Sequence, residues 1–148
     1  MTKTILLVED NKSDEKLTVL ALKKCPIDNR IAIARDGAEA LDYLFATGSH
    51  AGRDPSLVPA LVLLDLKLPK IDGLEVLRRI RAHARTRDLP VVVLTSSSQD
   101  EDIARGYACG ANAYVRKPVD YAEFVEAAMT LGVFWLSLNE VAPPLLVR

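Results

Sequence analysis

The stretch Leu61-Val62-Leu63-Leu64-Asp65-Leu66-Lys67 constrains the chain more than any other. Four consecutive apolar residues ending in an acid read as a strand covered on both faces, the habit of parallel sheets flanked by helices. Such a strand delivers Asp65 to its C-terminal end, where open α/β sheets bind ligands. A carboxylate withdrawn from water there is costly unless something binds it.

A second strand of the same kind, Thr4-Ile5-Leu6-Leu7-Val8, ends in the acids Glu9 and Asp10. Asn11 to Asp14 then supplies turn and cap chemistry for a helix over about 13–24, with Leu17, Leu20 and Ala21 inward and Pro26 as its stop. A short strand over 30–34 is followed by a turn at Asp36-Gly37 and a helix over 38–47 that buries Ala40, Leu41, Leu44 and Phe45. Residues 48–59, with two glycines and two prolines, form a long loop, readable as a partner contact or as a tolerated surface insertion.

Beyond Asp65, a helix over 73–84 turns Leu74, Leu77, Ile80 and Ala84 inward. Arg78, Arg79, Arg81, Arg85 and Arg87 lie on its outer side; without interleaved aromatics they read as a solvated face, not a nucleic-acid patch. The next strand, 90–94, leads into Thr95, and a helix over 100–108 is closed by Gly110. A short strand over 112–115 leads into Arg116-Lys117-Pro118, and a last helix runs over about 120–138.

Strand and helix thus alternate five times, which predicts a three-layer α/β fold around a parallel sheet. Right-handed crossovers put all five strand ends on one edge, so Glu9, Asp10, Asp65, Thr95 and Lys117 converge. Three clustered carboxylates repel one another, and a divalent cation relieves the repulsion. An all-oxygen ligand set suits Mg²⁺ or Mn²⁺, and the lack of Cys or His in the set argues against zinc. The Lys117 ammonium and the Thr95 hydroxyl add a receptor for phosphoryl oxygens, with Asp65 placed to attack phosphorus and form an acyl phosphate.

Composition sets the wider bounds. At 148 residues the chain makes one domain, and a formal charge of −1 implies neither a nucleic-acid nor a membrane-surface partner. No signal-peptide pattern opens the chain, and no apolar run near 20 residues stands out, so a cytoplasmic protein without a membrane span is expected. Cys25 and Cys109 sit in no ligand-like spacing and read as structural thiols of a reducing cytosol.

Val8-Glu9-Asp10-Asn11, Leu63-Leu64-Asp65-Leu66, Leu68-Pro69, Asp72-Gly73, Leu94-Thr95-Ser96 and Lys117-Pro118 resemble the receiver domains of two-component response regulators. The resemblance covers Lys3 to about Leu131; residues 1–131 are expected as the receiver and 132–148 as an extension of its last helix plus an apolar arm. It implies a flavodoxin-like sheet in the order 2-1-3-4-5 and a cis Lys117-Pro118 bond. By position, Asp65 is implied as phosphoacceptor of a sensor histidine kinase's phosphoryl group. Glu9, Asp10, Asp65 and the Lys67 backbone carbonyl are implied as the metal site, and Lys117 as the phosphate-binding ammonium. Thr95 and Tyr114 are implied as the switch pair, moving the surface of the fourth helix, fifth strand and fifth helix. Such a protein is a signalling phosphoacceptor, with no catalysis beyond its own phosphotransfer and dephosphorylation. With most of the chain in the receiver, a stand-alone regulator without a DNA-binding output domain is expected.

The tail carries a narrower resemblance. Phe134-Trp135-Leu136 with its following Asn139, the long loop before the third strand, and the apolar end Pro143-Pro144-Leu145-Leu146-Val147 are similar to the small receivers that partner phytochrome-type histidine kinases. The resemblance implies a homodimer with Phe134, Trp135, Pro143 and Leu145 at or near the contact. An aspartate-nucleophile phosphatase would need a second Asp where Lys67 stands, and a nucleotide-binding fold a glycine-rich loop where Glu9-Asp10-Asn11-Lys12 stands. A receiver kept purely as a binding module would lack Asp10, Asp65 or Lys117, and all three are here.

Overall fold

The structure, a computed structural model, describes residues 2–143. In chain order the elements are β1 (Lys3–Val8), α1 (Lys12–Lys24), β2 (Asn29–Ala34), α2 (Gly37–Phe45), a 3₁₀ turn (Gly48–His50), β3 (Leu61–Leu64), α3 (Gly73–Ala82), β4 (Val91–Thr95), α4 (Asp100–Ala108), β5 (Ala113–Arg116) and α5 (Tyr121–Val133), which runs on into a π-helical turn (Phe134–Leu138). The strands form one parallel sheet in the order β2-β1-β3-β4-β5, as expected.

The uninterrupted apolar runs have a direct explanation. Leu6, Val8, Val62 and Leu64 point to one face of the sheet and pack with Ala40 and Leu44 of α2 and Val76, Leu77 and Ile80 of α3. Their neighbours Ile5, Leu7, Leu61 and Leu63 point to the other face and pack with Leu22 and Leu136. Every residue of β3 is fully buried, and each such side chain contributes roughly 2 kcal/mol through removal from water. Asn11, Asp36, Asp72 and Asp120 cap α1, α2, α3 and α5, each accepting from the backbone N–H three residues on.

Some helix faces differ from expectation. In α1 the buried residues are Thr18, Ala21 and Leu22, and Leu20 is exposed, because the helix turns its Thr18–Leu22 stripe to the sheet. α3 ends at Ala82, two residues early, and leaves Ala84 exposed; Thr86 folds back to donate a buried 2.6 Å hydrogen bond to the Ile80 carbonyl. Arg81, expected among solvated arginines, is half-buried and donates to the carbonyls of Arg87, Leu89 and Gly110 and to Asn112 Oδ1. It ties the N-terminal ends of β4 and β5 together. Arg78 and Arg79 stay outside, paired with Glu75. The long loop is pinned by Arg53, whose guanidinium lies 4.0 Å over the Tyr43 ring and donates to the Tyr43 and Leu57 carbonyls.

The chain end also departs from a plain helix. By length and mean hydropathy (1.2), Tyr121–Leu138 is apolar enough to cross a membrane, against expectation. Its buried stripe is Phe124, Val125, Ala128, Gly132 and Leu136, and the rest of the stretch is partly or fully exposed. At the π turn Trp135 and Leu136 both lean on the cluster of Ile5 and Leu7, and Lys3 Nζ donates to the Leu136 carbonyl at 2.6 Å. Trp135 therefore faces its own sheet, whereas Phe134 and Leu138 are 45% and 69% exposed. Pro143 is exposed, and Leu145 lies outside the described residues. Cys25 is buried and Cys109 half-buried, both as free thiols.

Candidate functional site

The ends of β1, β3, β4 and β5 bring Glu9, Asp10, Asp65, Thr95 and Lys117 together, as the topology demands. Ladder bonds hold the frame: Glu9 N–H donates to Ala34 O at 3.0 Å, Asp65 N–H to Val8 O at 3.1 Å, and Lys117 N–H to Thr95 O at 2.7 Å. Gly73 lets α3 begin directly behind the acid, since a Cβ there would stand 2.3 Å from the Asp65 carbonyl oxygen.

Asp65 is buried and surrounded by donors. Its Oδ1 accepts from Thr95 Oγ1 at 2.8 Å and from the Lys67 N–H at 3.1 Å; its Oδ2 accepts from Lys117 Nζ at 2.7 Å. Lys117 Nζ also lies 2.6 Å from Glu9 Oε1 and 2.8 Å from Asp14 Oδ2. Asn11 N–H donates to the other Glu9 oxygen at 3.2 Å. Carboxylate oxygens of Glu9, Asp10 and Asp65 fall within 4.8 Å of one another, with Asp10 exposed and the other two buried. The Lys117-Pro118 bond, expected cis, is trans. The isomers of such a bond differ by only about 0.5–1 kcal/mol, and the trans form already brings the ammonium to three carboxylates.

These contacts decide the charge states. Burial would raise the Asp65 carboxyl, but the Lys117 ammonium, the Lys67 N–H and the Thr95 hydroxyl together hold it below the usual carboxylate range. Glu9 goes the other way: burial, with the nearby Asp65 charge, outweighs Lys117 and Asn11 and pushes it up to about 7. Burial would lower Lys117, yet hydrogen bonds to Asp14, Asp65 and Glu9 hold it above the usual lysine range. The site therefore keeps an ionised carboxylate and an ammonium in contact, beside an acid that a cation would readily deprotonate. Its oxygen-only donor set fits a divalent cation of the Mg²⁺ or Mn²⁺ kind.

Tyr114 lies one strand over. Its hydroxyl donates to the Ser97 carbonyl at 3.0 Å, Ser97 Oγ donates to Asp102, and burial raises the phenol. The ring rests on α4 at Gly106, where a Cβ would stand 3.1 Å from Tyr114 Cδ2. Sequence reasoning missed Asp14, because an acid at the third position of a helix is ordinary dipole complementation and signals nothing more.

A parallel sheet that gathers an acid cluster, a hydroxyl and an ammonium at its strand ends defines a receiver-type signalling domain. The chain belongs to the response regulator family: the model described as "Response regulator receiver domain" matches residues 5–129. It is 42% identical to the probable methanogenesis regulatory protein FilR2 of Methanothrix harundinacea, over 95% of this chain and 88% of that protein. It is 39% identical to the response regulator Rcp1 of Synechocystis, over 90% of this chain and 89% of that protein. Among solved structures, the phosphorylated cyanobacterial phytochrome response regulator RcpA matches with a TM-score of 0.90 at 36% identity, over 97% of this chain and 100% of that one. The Mn²⁺-bound form of Rcp1 matches with a TM-score of 0.88 at 36% identity, over 95% and 99%. The bacteriophytochrome response regulator AtBRR is 54% identical, with a TM-score of 0.74 over 95% and 99%. Two of these solved relatives, RcpA and AtBRR, are phytochrome response regulators.

Proposed function

We propose that this receiver accepts a phosphoryl group on Asp65 from the phosphohistidine of a phytochrome-type sensor histidine kinase. The observation that carries the reading is the environment of Asp65: buried, ionised, and held by Thr95, Lys67 N–H and Lys117 beside the acids Glu9 and Asp10. An Asp65 carboxylate oxygen forms the new bond to phosphorus as the bond from phosphorus to the histidine nitrogen breaks, and the electron pair returns to the imidazole. Glu9, Asp10, Asp65 and the Lys67 backbone carbonyl would hold Mg²⁺, or Mn²⁺ in its place. A divalent cation there supplies charge shielding for the transfer. Lys117 would bind the phosphoryl oxygens.

The phosphorylated Asp65 carries about −1.5 to −2 charge, and Thr95 turns its hydroxyl to the new oxygens. Tyr114, tied to Ser97, then resets and alters the surface of α4, β5 and α5. A homodimer fits the exposed apolar residues Phe134 and Leu138 and the exposed Pro143; Leu145, expected at the same contact, lies outside the described residues. Trp135 supports that contact from inside its own subunit. The reading places the protein in the cytoplasm, beside its kinase, as a signalling protein without a nucleic-acid or membrane partner.

The test is incubation with a small-molecule phosphodonor and Mg²⁺, followed by detection of alkali-labile and hydroxylamine-labile phosphate. Wild type should be labelled and Asp65→Asn should not. Equal labelling of the two would remove Asp65 from its role.

A further inference from the structure

Asp14 is the one member of the ion cluster that stands on a helix instead of a strand end. Its backbone is held from both sides: its N–H donates to Asn11 Oδ1 at 2.9 Å, and its carbonyl accepts from the buried Thr18 hydroxyl at 2.8 Å. The side chain is thereby aimed at Lys117, with Oδ2 at 2.8 Å from Nζ. The three carboxylates around the ammonium differ in access: the side chains of Glu9 and Asp65 are 3% and 8% exposed and that of Asp14 is 26%. Asp14 is the rim partner of a buried lysine.

An ammonium has three N–H donors, and here three carboxylates stand within 2.8 Å of it, Asp14 and Asp65 as hydrogen-bond acceptors and Glu9 as an ion pair. Two of those carboxylates, Glu9 and Asp65, also belong to the cluster that fits a divalent cation; Asp14 does not. Lysine and cation therefore draw on the same two carboxylates. A cation held by Glu9 and Asp65 would stand close to the ammonium, and like charges in a buried site repel. A donor that gives way without a partner carries a desolvation cost. Asp14 removes that cost, because it offers the ammonium a partner away from the acid cluster.

We propose that Asp14 is a positioning residue for Lys117: it holds the ammonium on the α1 side while a divalent cation occupies the Glu9, Asp10 and Asp65 cluster. It thereby sets the affinity of the site for the cation. The inference rests on the metal and phosphoacceptor reading given above. Asp14 touches neither the cation nor phosphorus; it acts through Lys117.

A double-mutant cycle read by Mn²⁺ titration calorimetry tests it. Asp14→Asn should weaken Mn²⁺ binding about fivefold when Lys117 is present, a coupling of ordinary size for linked sites. In a Lys117→Met background the same change should cost less than about twofold, since only a screened charge is then lost. Equal losses in the two backgrounds would overturn the proposal and leave Asp14 as a remote charge. The ¹⁵N shift of the Lys117 ammonium gives a second readout: with Mn²⁺ replaced by diamagnetic Mg²⁺, it should change on Asp14→Asn. An unchanged shift would also overturn the proposal. If Lys117→Met does not fold, Lys117→Gln completes the cycle. Failure of the underlying reading looks different: Asp10→Asn would then leave Mn²⁺ binding at the wild-type level.

Discussion

Thr95 Oγ1 donates a 2.8 Å hydrogen bond to Asp65 Oδ1, and both side chains are buried. The hydroxyl of the proposed switch is therefore already in contact with the proposed phosphoacceptor before any phosphoryl group arrives. A buried hydrogen bond to a charged acceptor stabilises by about 1.5–3 kcal/mol.

Thr95→Ala should thus lower stability by about 2 kcal/mol, measured by urea denaturation, because Asp65 loses a donor while staying buried. Phosphorylation should continue, since Lys117 and the Lys67 N–H remain. The response should not: NMR signals of Tyr114 should shift with Mg²⁺ and beryllofluoride in wild type and stay put in Thr95→Ala.

The raised Glu9 carboxyl gives stability a pH dependence opposite to the usual one for acids. With the folded value at about 7 and the ordinary value at 4.5, the folded chain keeps a proton that the unfolded chain has released. In chelator, stability should fall as pH rises from about 4.5 to about 7 and level off above. Asp65 works in a separate window: its carboxyl is depressed from 3.8, so its contribution is present above that pH and lost as pH falls through the folded value. Added Mg²⁺ should abolish the decline between 4.5 and 7, as thermal melts at each pH would show.

Neighbouring aromatics at the chain end should separate into two phenotypes. Trp135 packs on the Ile5 and Leu7 cluster, so Trp135→Ala should destabilise the monomer by about 2 kcal/mol or more. Phe134 is 45% exposed, and Phe134→Ala should cost less in unfolding than Trp135→Ala while lowering the dimer fraction seen by light scattering. A dimer unaffected by Phe134→Ala together with Leu138→Ala would move the contact elsewhere.

Arg81→Ala should cost about 2–3 kcal/mol in denaturation, because a half-buried guanidinium that joins three carbonyls and Asn112 is lost. Phosphate labelling of Asp65 should be unaffected, the bonds lying at the opposite ends of β4 and β5.

What could be read from the residues follows a physical division. The fold was legible because both faces of β1 and β3 are covered, which forces continuous apolar runs, and strand order then fixes where Glu9, Asp65, Thr95 and Lys117 meet. Side chains whose role depends on reach were not. Arg81 looks like any outward arginine in a helical pattern, and only the packing of the chain behind α3 shows that its guanidinium turns back into the fold. Asp14 looks like a first-turn acid for the same reason. The inward turn of Trp135 depends on the widened π turn, which no periodicity announces. The family resemblance supplied the sheet order correctly and the Lys117-Pro118 isomer wrongly, since near-degenerate isomers are set by local packing.

The absence of a side chain at Gly106 has a mechanical consequence. A methyl group at that position would stand 3.1 Å from the Tyr114 ring, so α4 and β5 meet closely there. The ring is only partly buried, so swinging it out uncovers the surface of α4 at Gly106 and leaves a gap between α4 and β5. Either α4 slides into the gap or water does. An event that begins as added charge on one carboxylate would then leave the domain as a change of shape, carried by volume alone.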